Sequence, residues 1–122
     1  MINVKLFTAP SSIRANIQQS GRLGFTLDAI DFLELRKKYC IGLGKNEVDL
    51  NDPNLYMNIY DRFVPNTFNI NSSGHYVYLN AKSYFKFLKY DYENIHISFN
   101  IIELEKIEGG KQYKLEKWEY FR

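Results

Sequence analysis

The sequence has 122 residues, the size of one ordinary domain, and therefore predicts a single hydrophobic core. Its 45% apolar and 25% charged residues are ordinary values for a globular protein and argue against a disordered or fibrous chain. The net charge is only +2, from 16 Lys and Arg against 14 Asp and Glu, so charge alone does not identify an anionic partner. Aromatic residues make up 16%, more than one core of this size needs, so some should lie at the surface.

No segment of the sequence predicts membrane insertion or export. The longest apolar runs, such as Tyr39-Cys40-Ile41, are far shorter than the roughly 18–20 residues of a membrane-spanning helix. The N-terminal segment MINVKLFTAP lacks the basic start, the apolar stretch and the cleavage site of a signal peptide. We therefore expect a cytoplasmic protein. The single cysteine, Cys40, cannot form an internal disulfide, and its neighbours predict a small buried side chain.

The first predicted elements are three strands followed by a helix, and a turn joins the two strands that precede the helix. Apolar residues alternate with polar ones at the two-residue period of a half-buried strand at Ile13, Ala15 and Ile17. Ser20-Gly21 predicts the turn. Thr26 can accept a hydrogen bond from the first helical amides, so it predicts the N-cap of a helix near residues 27–37.

Four strands, a second helix and a closing hairpin are predicted for the rest of the chain. Further strands are predicted by the alternating sets Leu55/Met57/Ile59, Phe68/Ile70 and Ile95/Ile97/Phe99/Ile101. Asn80 predicts the N-cap of a second helix near residues 81–90. The Gly109-Gly110 pair favours a tight turn between a strand near 95–106 and another near 111–120.

An internal repeat relates the two halves. Shifting the sequence by 53 residues places Ile17-Gln-Gln-Ser-Gly21 on Ile70-Asn-Ser-Ser-Gly74, and Phe32 on Phe85. We therefore predict one domain, residues 1–122, made of two related units of about 1–62 and 63–122. The repeat also predicts that four helix residues are buried: Phe32, Leu35, Phe85 and Leu88.

Short turns between neighbouring strands predict antiparallel pairing, and the two helices predict a second layer. The predicted fold class is α+β, an internally duplicated, curved antiparallel sheet with two helices packed on one side. The other face of the sheet would then be open to solvent. We expect the functional residues on that face.

Polar and aromatic residues alternate along the predicted strands, on the side that faces solvent. The predicted nucleic-acid-binding residues are Arg14, Asn16, Gln18, Arg22, Tyr56, Asn58, Tyr60 and Arg62. Tyrosine rings two residues apart can stack successive bases, while Arg and Asn side chains can bind phosphates and base edges. The same tyrosines could instead shield their neighbours or form a dimer interface.

No segment carries a motif for catalysis, metal binding or a cofactor. Gly42-Leu43-Gly44-Lys45 lacks the spacing and the Lys-Ser/Thr ending of a phosphate-binding loop. The acidic turn at 49–52 lacks the glycine and glutamate that complete a calcium loop. His75 and His96 have no second ligand at motif spacing. We therefore expect a protein that is not an enzyme and has no cofactor.

The segment Gly21-Arg22-Leu23-Gly24-Phe25-Thr26-Leu27-Asp28, followed by Phe32 and Leu35, resembles the single-stranded-DNA-binding transcriptional coactivator family known as positive cofactor four. That family reads G-R/K-K-G-I-S-L-N/T there, and it shares a unit of four strands and a helix with whirly and Pur-type proteins. Leu23 replaces the family's lysine, and His75 replaces the arginine in the looser second copy at 74–80. The resemblance implies that Arg22 contacts DNA.

The same Gly21-Arg22 pair, placed between two strands, also resembles the swapped-hairpin AbrB and MraZ proteins, which bind double-stranded DNA. Those proteins read G-R-I-V-I-P, and Thr26 stands here where the proline would be. Gly24 and Phe25 match the coactivator pattern better.

The sequence therefore favours a non-catalytic single-stranded DNA- or RNA-binding protein that uses a curved sheet face. The alternative is a protein–protein interaction or structural module without nucleic-acid binding, whose partner is a second copy of the chain or another protein. No membrane partner is expected. A salt series separates the two functions, because phosphate binding weakens steeply as salt rises and an apolar interface hardly responds.

Overall fold

The computed structural model describes residues 12–121, so residues 1–11 of the first predicted unit lie outside the described range. The strands are β1 (Arg14–Ile17), β2 (Arg22–Phe25), β3 (Cys40–Gly44), β4 (Leu55–Tyr60), β5 (Phe68–Asn69), β6 (Asn71–Ser73), β7 (Tyr76–Asn80), β8 (Ile95–Ile107) and β9 (Gly110–Phe121). The α-helices are α1 (Leu27–Leu33) and α2 (Lys82–Phe87), and a 3-10 turn, Leu35–Lys37, follows α1. Strands dominate, so the described part of the protein is mainly β.

These strands form one antiparallel sheet in the order β5-β3-β4-β9-β8-β1-β2-β7-β6. The two strands at the ends of this order, β5 and β6, are consecutive in the chain and are separated only by Ile70. Because such a short link cannot cross an open sheet, the two edges lie next to each other and the sheet curls into a nearly closed barrel. The predicted curved antiparallel sheet is confirmed.

The inner face of the sheet carries one continuous apolar core. In β4, Leu55, Met57 and Ile59 are buried while the residues between them are half-buried, as the two-residue period of a strand requires. Ile30 of α1 and Phe85 of α2 belong to the same core. Both helices therefore pack on the apolar side, and the outer face of the sheet is left for other contacts.

The helix starts agree only in part with the sequence. Thr26 caps α1 as predicted, because its hydroxyl accepts a hydrogen bond from the amide of Ala29 at 3.3 Å. The cap predicted at Asn80 is wrong: Asn80 ends β7, and the N-cap of α2 is Ala81, which has no side-chain hydrogen bond to offer. Both helices are shorter than predicted, and α1 ends where Glu34 takes a positive φ of 50°. Within residues 12–121, neither helix is long and apolar enough to cross a membrane.

The predicted burial of the helix residues is likewise confirmed only in part. Leu35 and Phe85 are both 0% exposed and Leu88 is half-buried, but Phe32 is 48% exposed, so its predicted burial is wrong. The repeat matches Phe32 with Phe85 at a shift of 53 residues, yet the two side chains do not occupy equivalent positions on their helices.

The spacing of the two hairpins explains this difference. The turn glycines Gly21 and Gly74, which both have positive φ, lie 53 residues apart. The buried strand residues that follow, Leu23 and Val77, lie 54 apart, and the first residues of α1 and α2 lie 55 apart. Residues matched at a fixed offset of 53 therefore point to different sides beyond the turn, because a one-residue slip reverses every side chain of a strand. At the helices the slip is two residues, which turns a matched side chain by roughly 200° around the helix axis.

The long hairpin of β8 and β9 is confirmed at nearly the predicted bounds. It turns at Gly109, whose φ of 75° is easily reached only by a residue without a Cβ atom. The predicted burial of Cys40 is also confirmed, since it is 1% exposed and its thiol lies 3.5 Å from the carbonyl oxygen of Arg62.

Candidate functional site

The outer face of the sheet carries polar and aromatic residues in register across five neighbouring strands, β9, β8, β1, β2 and β7. The middle row, in that strand order, consists of Trp118, Ser98, Asn16, Gly24 and Tyr78. The rows on either side consist of Tyr120, His96, Gln18, Arg22 and Asn80, and of Glu116, Asn100, Arg14 and Tyr76. Neighbouring strands are about 4.8 Å apart, so these three rows, the polar face, are roughly 19 Å wide.

Arg22 and two tyrosines form a stack at the β2–β7 side of the polar face. The guanidinium carbon of Arg22 lies 4.3 Å from the ring centroid of Tyr78. The Tyr78 ring in turn stacks on the ring of Tyr76, with centroids 5.2 Å apart and 24° between the planes. Attraction between a guanidinium and the face of an aromatic ring restrains Arg22, although the residue stays exposed. The Arg22 stack therefore presents a positioned cation at the sheet surface.

Gly24 makes room for the Arg22 stack. A Cβ atom at this position would lie 2.6 Å from the hydroxyl oxygen of Tyr76 and 2.9 Å from Nε2 of Gln18, so both side chains lie over the Gly24 backbone. The Tyr76 hydroxyl is buried without a hydrogen-bond partner among the described residues, and burial raises its pKa. Tyr76 is therefore neutral near pH 7 and keeps a hydroxyl that can still donate and accept.

Donors with spare capacity lie beside the Arg22 stack, on β1. The Ser98 hydroxyl donates to Oδ1 of Asn16 at 2.7 Å, and the amide nitrogen of Asn16 makes no hydrogen bond within residues 12–121. Nε of Arg14 is buried and also lacks a partner in that range. Two of the predicted site residues therefore have N–H groups without a hydrogen-bond partner in the described range, and the one on Arg14 is buried.

Aromatic rings also lie at the opposite side of the polar face, on β9. Trp118 is 55% exposed and Tyr120 is 53% exposed. His96 is tilted against Tyr120 with ring centroids 5.2 Å apart, and Nε1 of Trp118 donates to Glu116 at 3.2 Å, which orients the indole. Aromatic residues therefore flank the polar face on β7 and on β9, and polar side chains lie between them.

The predicted residues Tyr56, Asn58 and Tyr60 lie on the same outer face but form a separate group on β4. Two strands, β9 and β8, lie between β4 and β1, so about 14 Å separates the groups. Asn58 Nδ2 donates to the Tyr60 hydroxyl at 3.2 Å, and Gln112 donates to Oδ1 of Asn58 at 3.2 Å. Side chains of this group therefore hold one another in place.

Tyr56 is tied to an acidic loop. Its hydroxyl donates to Asp52, and the amide of Asn54 donates to the same carboxylate at 2.9 Å. These bonds lower the pKa of Asp52 to about 2, and the bond to Asp52 raises the pKa of Tyr56. Asp52 is therefore charged at neutral pH, and its negative charge opposes phosphate binding at this end of β4.

Arg62 lies apart from both groups, at the turn between β8 and β9. Its Nη2 lies 3.3 Å from a carboxylate oxygen of Glu108, and its guanidinium packs against Gly109. The structure therefore brings four of the predicted residues together on the polar face, namely Arg14, Asn16, Gln18 and Arg22, and it does not bring Arg62 to them.

Tyr76 and Tyr78 are residues of the polar face that the sequence pattern did not identify. The repeat at an offset of 53 matched them with Leu23 and Phe25, which are buried. Tyr76 and Tyr78 alternate with apolar residues after the Gly74 turn. The same kind of alternation identified Tyr56 and Tyr60, so it would have identified Tyr76 and Tyr78 as well.

The function of the polar face has to be inferred from its own residues. Within residues 12–121, no three His, Cys, Asp or Glu side chains come together in a way that could hold a metal ion. No protein-family model matches the sequence, and no curated protein or solved structure gives a significant match. The resemblance to the coactivator family consequently stays a prediction.

Proposed function

We propose that this protein is a non-catalytic binder of single-stranded nucleic acid and that the strand lies on the polar face. The observation that carries the proposal is the Arg22 stack, an exposed guanidinium 4.3 Å from the ring centroid of Tyr78, which is itself stacked on Tyr76. The resemblance to the coactivator family points to the same arginine, because its DNA-contacting position aligns with Arg22.

The Arg22 stack suits a nucleotide because the guanidinium offers both a flat surface for stacking and a positive charge. A base can stack on the free side of the Arg22 guanidinium, as bases do on arginine planes in RNA-binding proteins, while the N–H groups bond a phosphate. Because Tyr78 already restrains Arg22, less side-chain entropy is lost when the strand binds.

The remaining residues of the polar face bind without strong sequence preference. Asn16 and Gln18 donate to sugar or base edges, Arg14 supplies a second cation, and the rings of Trp118 and Tyr120 stack further bases. Stacking is tolerant of sequence because every base has a π face. DNA and RNA both offer these groups, so both are expected ligands.

We also propose that the chain consists of two duplicated units. Exchanging β1–β4 with β6–β9 preserves most of the sheet pairings: β1–β2 maps onto β6–β7, β3–β4 onto β8–β9, and β2–β7 and β4–β9 onto themselves. The exception is β1–β8, because the corresponding neighbour of β3 is β5 rather than β6. The gradual change in offset from 53 to 55 is what short insertions in the second unit would produce. An experimental structure in which β1-β2-α1 failed to superpose on β6-β7-α2 would contradict the duplication.

The alternative is a protein-interaction surface centred on the end of β9. Phe121 is 90% exposed, and Trp118 and Tyr120 are more than half exposed. Aromatic side chains of this kind are enriched in protein interfaces. This surface overlaps the polar face, so binding measurements at several salt concentrations distinguish the two functions.

Arg22→Ala is expected to weaken binding of a labelled single strand of about 20 nucleotides by roughly tenfold or more, because it removes a charge-assisted contact. The slope of log affinity against log salt should become shallower by about 0.7, the value for one phosphate on a single strand. Fluorescence anisotropy at several salt concentrations measures both.

Arg62→Ala is the matched control, since Arg62 is paired with Glu108 and lies away from the polar face. It should change neither affinity nor slope. Arg22→Lys should keep the slope but lose part of the affinity, because an ammonium carries the charge without the stacking plane. Equal effects of Arg22→Ala and Arg62→Ala, or no binding by the wild type at low salt, would refute the proposal.

A further inference from the structure

A pocket of about 500 Å³ lies beside the Arg22 stack, between the β1–β2 turn and the start of α2. The polar residues that line it are Ser20, Arg22, Asn80, Lys82, Ser83 and Lys86. Arg22 belongs both to this pocket and to the polar face. A strand lying on the polar face would therefore have one nucleotide next to the pocket.

The pocket is strongly cationic in a protein whose net charge is only +2. Arg22, Lys82 and Lys86 contribute three positive charges, and no carboxylate lines the pocket within the described residues. None of these three side chains makes an ion pair within residues 12–121. Their charges are therefore not neutralised by the described part of the chain.

Two of the cations are positioned by close contacts. Gly21 has a φ of +90°, and a Cβ atom there would lie 2.7 Å from Cβ and Cγ of Lys82, so the Lys82 stem packs directly on the Gly21 backbone. Arg22 is held over the Tyr78 ring. Ser20 and Ser83 also line the pocket, and their hydroxyls can donate hydrogen bonds.

We propose that this pocket binds a phosphate monoester, specifically the terminal phosphate of a strand lying on the polar face. A phosphodiester carries one negative charge, whereas a phosphate monoester carries about −1.5 to −2 near pH 7 and offers three oxygens. Three cations without a neighbouring carboxylate match the charge of the monoester better than that of the diester. The assignment deepens the proposed function and rests on it.

The test compares three labelled strands of one sequence, with a 5′-phosphate, with a 3′-phosphate and with neither, at one low salt concentration. A terminal phosphate at one end is expected to tighten binding about tenfold, the effect of about one charge-assisted contact. In the double variant Lys82→Ala/Lys86→Ala this preference should disappear. Lys37→Ala, on the exposed 3-10 turn, is the control and should keep it. Thermal melting checks that the variants are folded.

Equal affinity for all three strands, or a preference that survives in the double variant, would overturn the assignment. If binding then still depended on Arg22, the proposed function would stand and the pocket assignment alone would fail. A second arm titrates a nucleoside 5′-monophosphate while the amide signals of Ser83 and Lys86 are followed by NMR. Saturable shifts in that arm, together with no strand binding, would support the pocket and refute the function of the polar face.

Discussion

Replacing Phe85 by Ala is expected to lower the free energy of unfolding by about 3–5 kcal/mol, the usual loss for a buried phenylalanine. Phe85 is 0% exposed and lies in α2, where its ring stacks on Tyr90 with centroids 6.0 Å apart. Its removal leaves a cavity where the helix meets the core of the sheet. Urea denaturation followed by circular dichroism measures the change.

Phe87→Ala is the matched control, because Phe87 lies in the same helix and is 78% exposed. Its effect should stay within about 0.5 kcal/mol, as for most surface substitutions. If the two variants lost similar stability, the buried face of α2 would be assigned wrongly.

Gly110→Ala should destabilise the protein by at least roughly 1–3 kcal/mol, the range for overpacking a closely packed site. Gly110 begins β9 opposite Tyr60, and an added Cβ atom would overlap the carbonyl oxygen of Ile59. The obstacle is backbone, which no rotation of a side chain relieves. The β4–β9 pairing would have to open, and the fall in the thermal midpoint measures this.

Gly44→Ala provides the comparison, because a Cβ atom at this strand glycine would meet nothing within 4 Å. Its stability should change by no more than about 1 kcal/mol in either direction. A Gly110→Ala variant as stable as Gly44→Ala would show that β4 and β9 do not pair with Tyr60 opposite Gly110.

The main elements were predictable because local physics determines them. Alternating residues identified β1, β4 and β8, the Gly109 turn identified the long hairpin, and the Thr26 cap identified the start of α1. Each of these signals lies within a few residues of the feature it predicts. The closure of the sheet was not predictable in this way, because it depends on pairings between β3 and β5 and between β4 and β9 that are distant in sequence.

The candidate site was predicted in part for the same reason. Arg14, Asn16, Gln18 and Arg22 were correctly expected to share a region, since one turn joins their strands. Tyr76 and Tyr78 were missed because a one-residue difference in hairpin length reverses which residues face outward, and a fixed repeat offset cannot detect that. The arginine–tyrosine stack arises from the β2–β7 pairing, which a local pattern does not reveal.

An NMR footprint of the wild-type protein would show whether a single strand lies on the polar face. Amide signals are recorded during titration with an unlabelled strand of about 20 nucleotides, long enough to exceed one site of about 4–16 nucleotides. The largest shifts should fall on Asn16, Arg22, Gly24 and Tyr78, and the signals of Arg62 should hardly move. Shifts confined to β4, or no shifts at low salt, would show that a single strand does not bind the polar face.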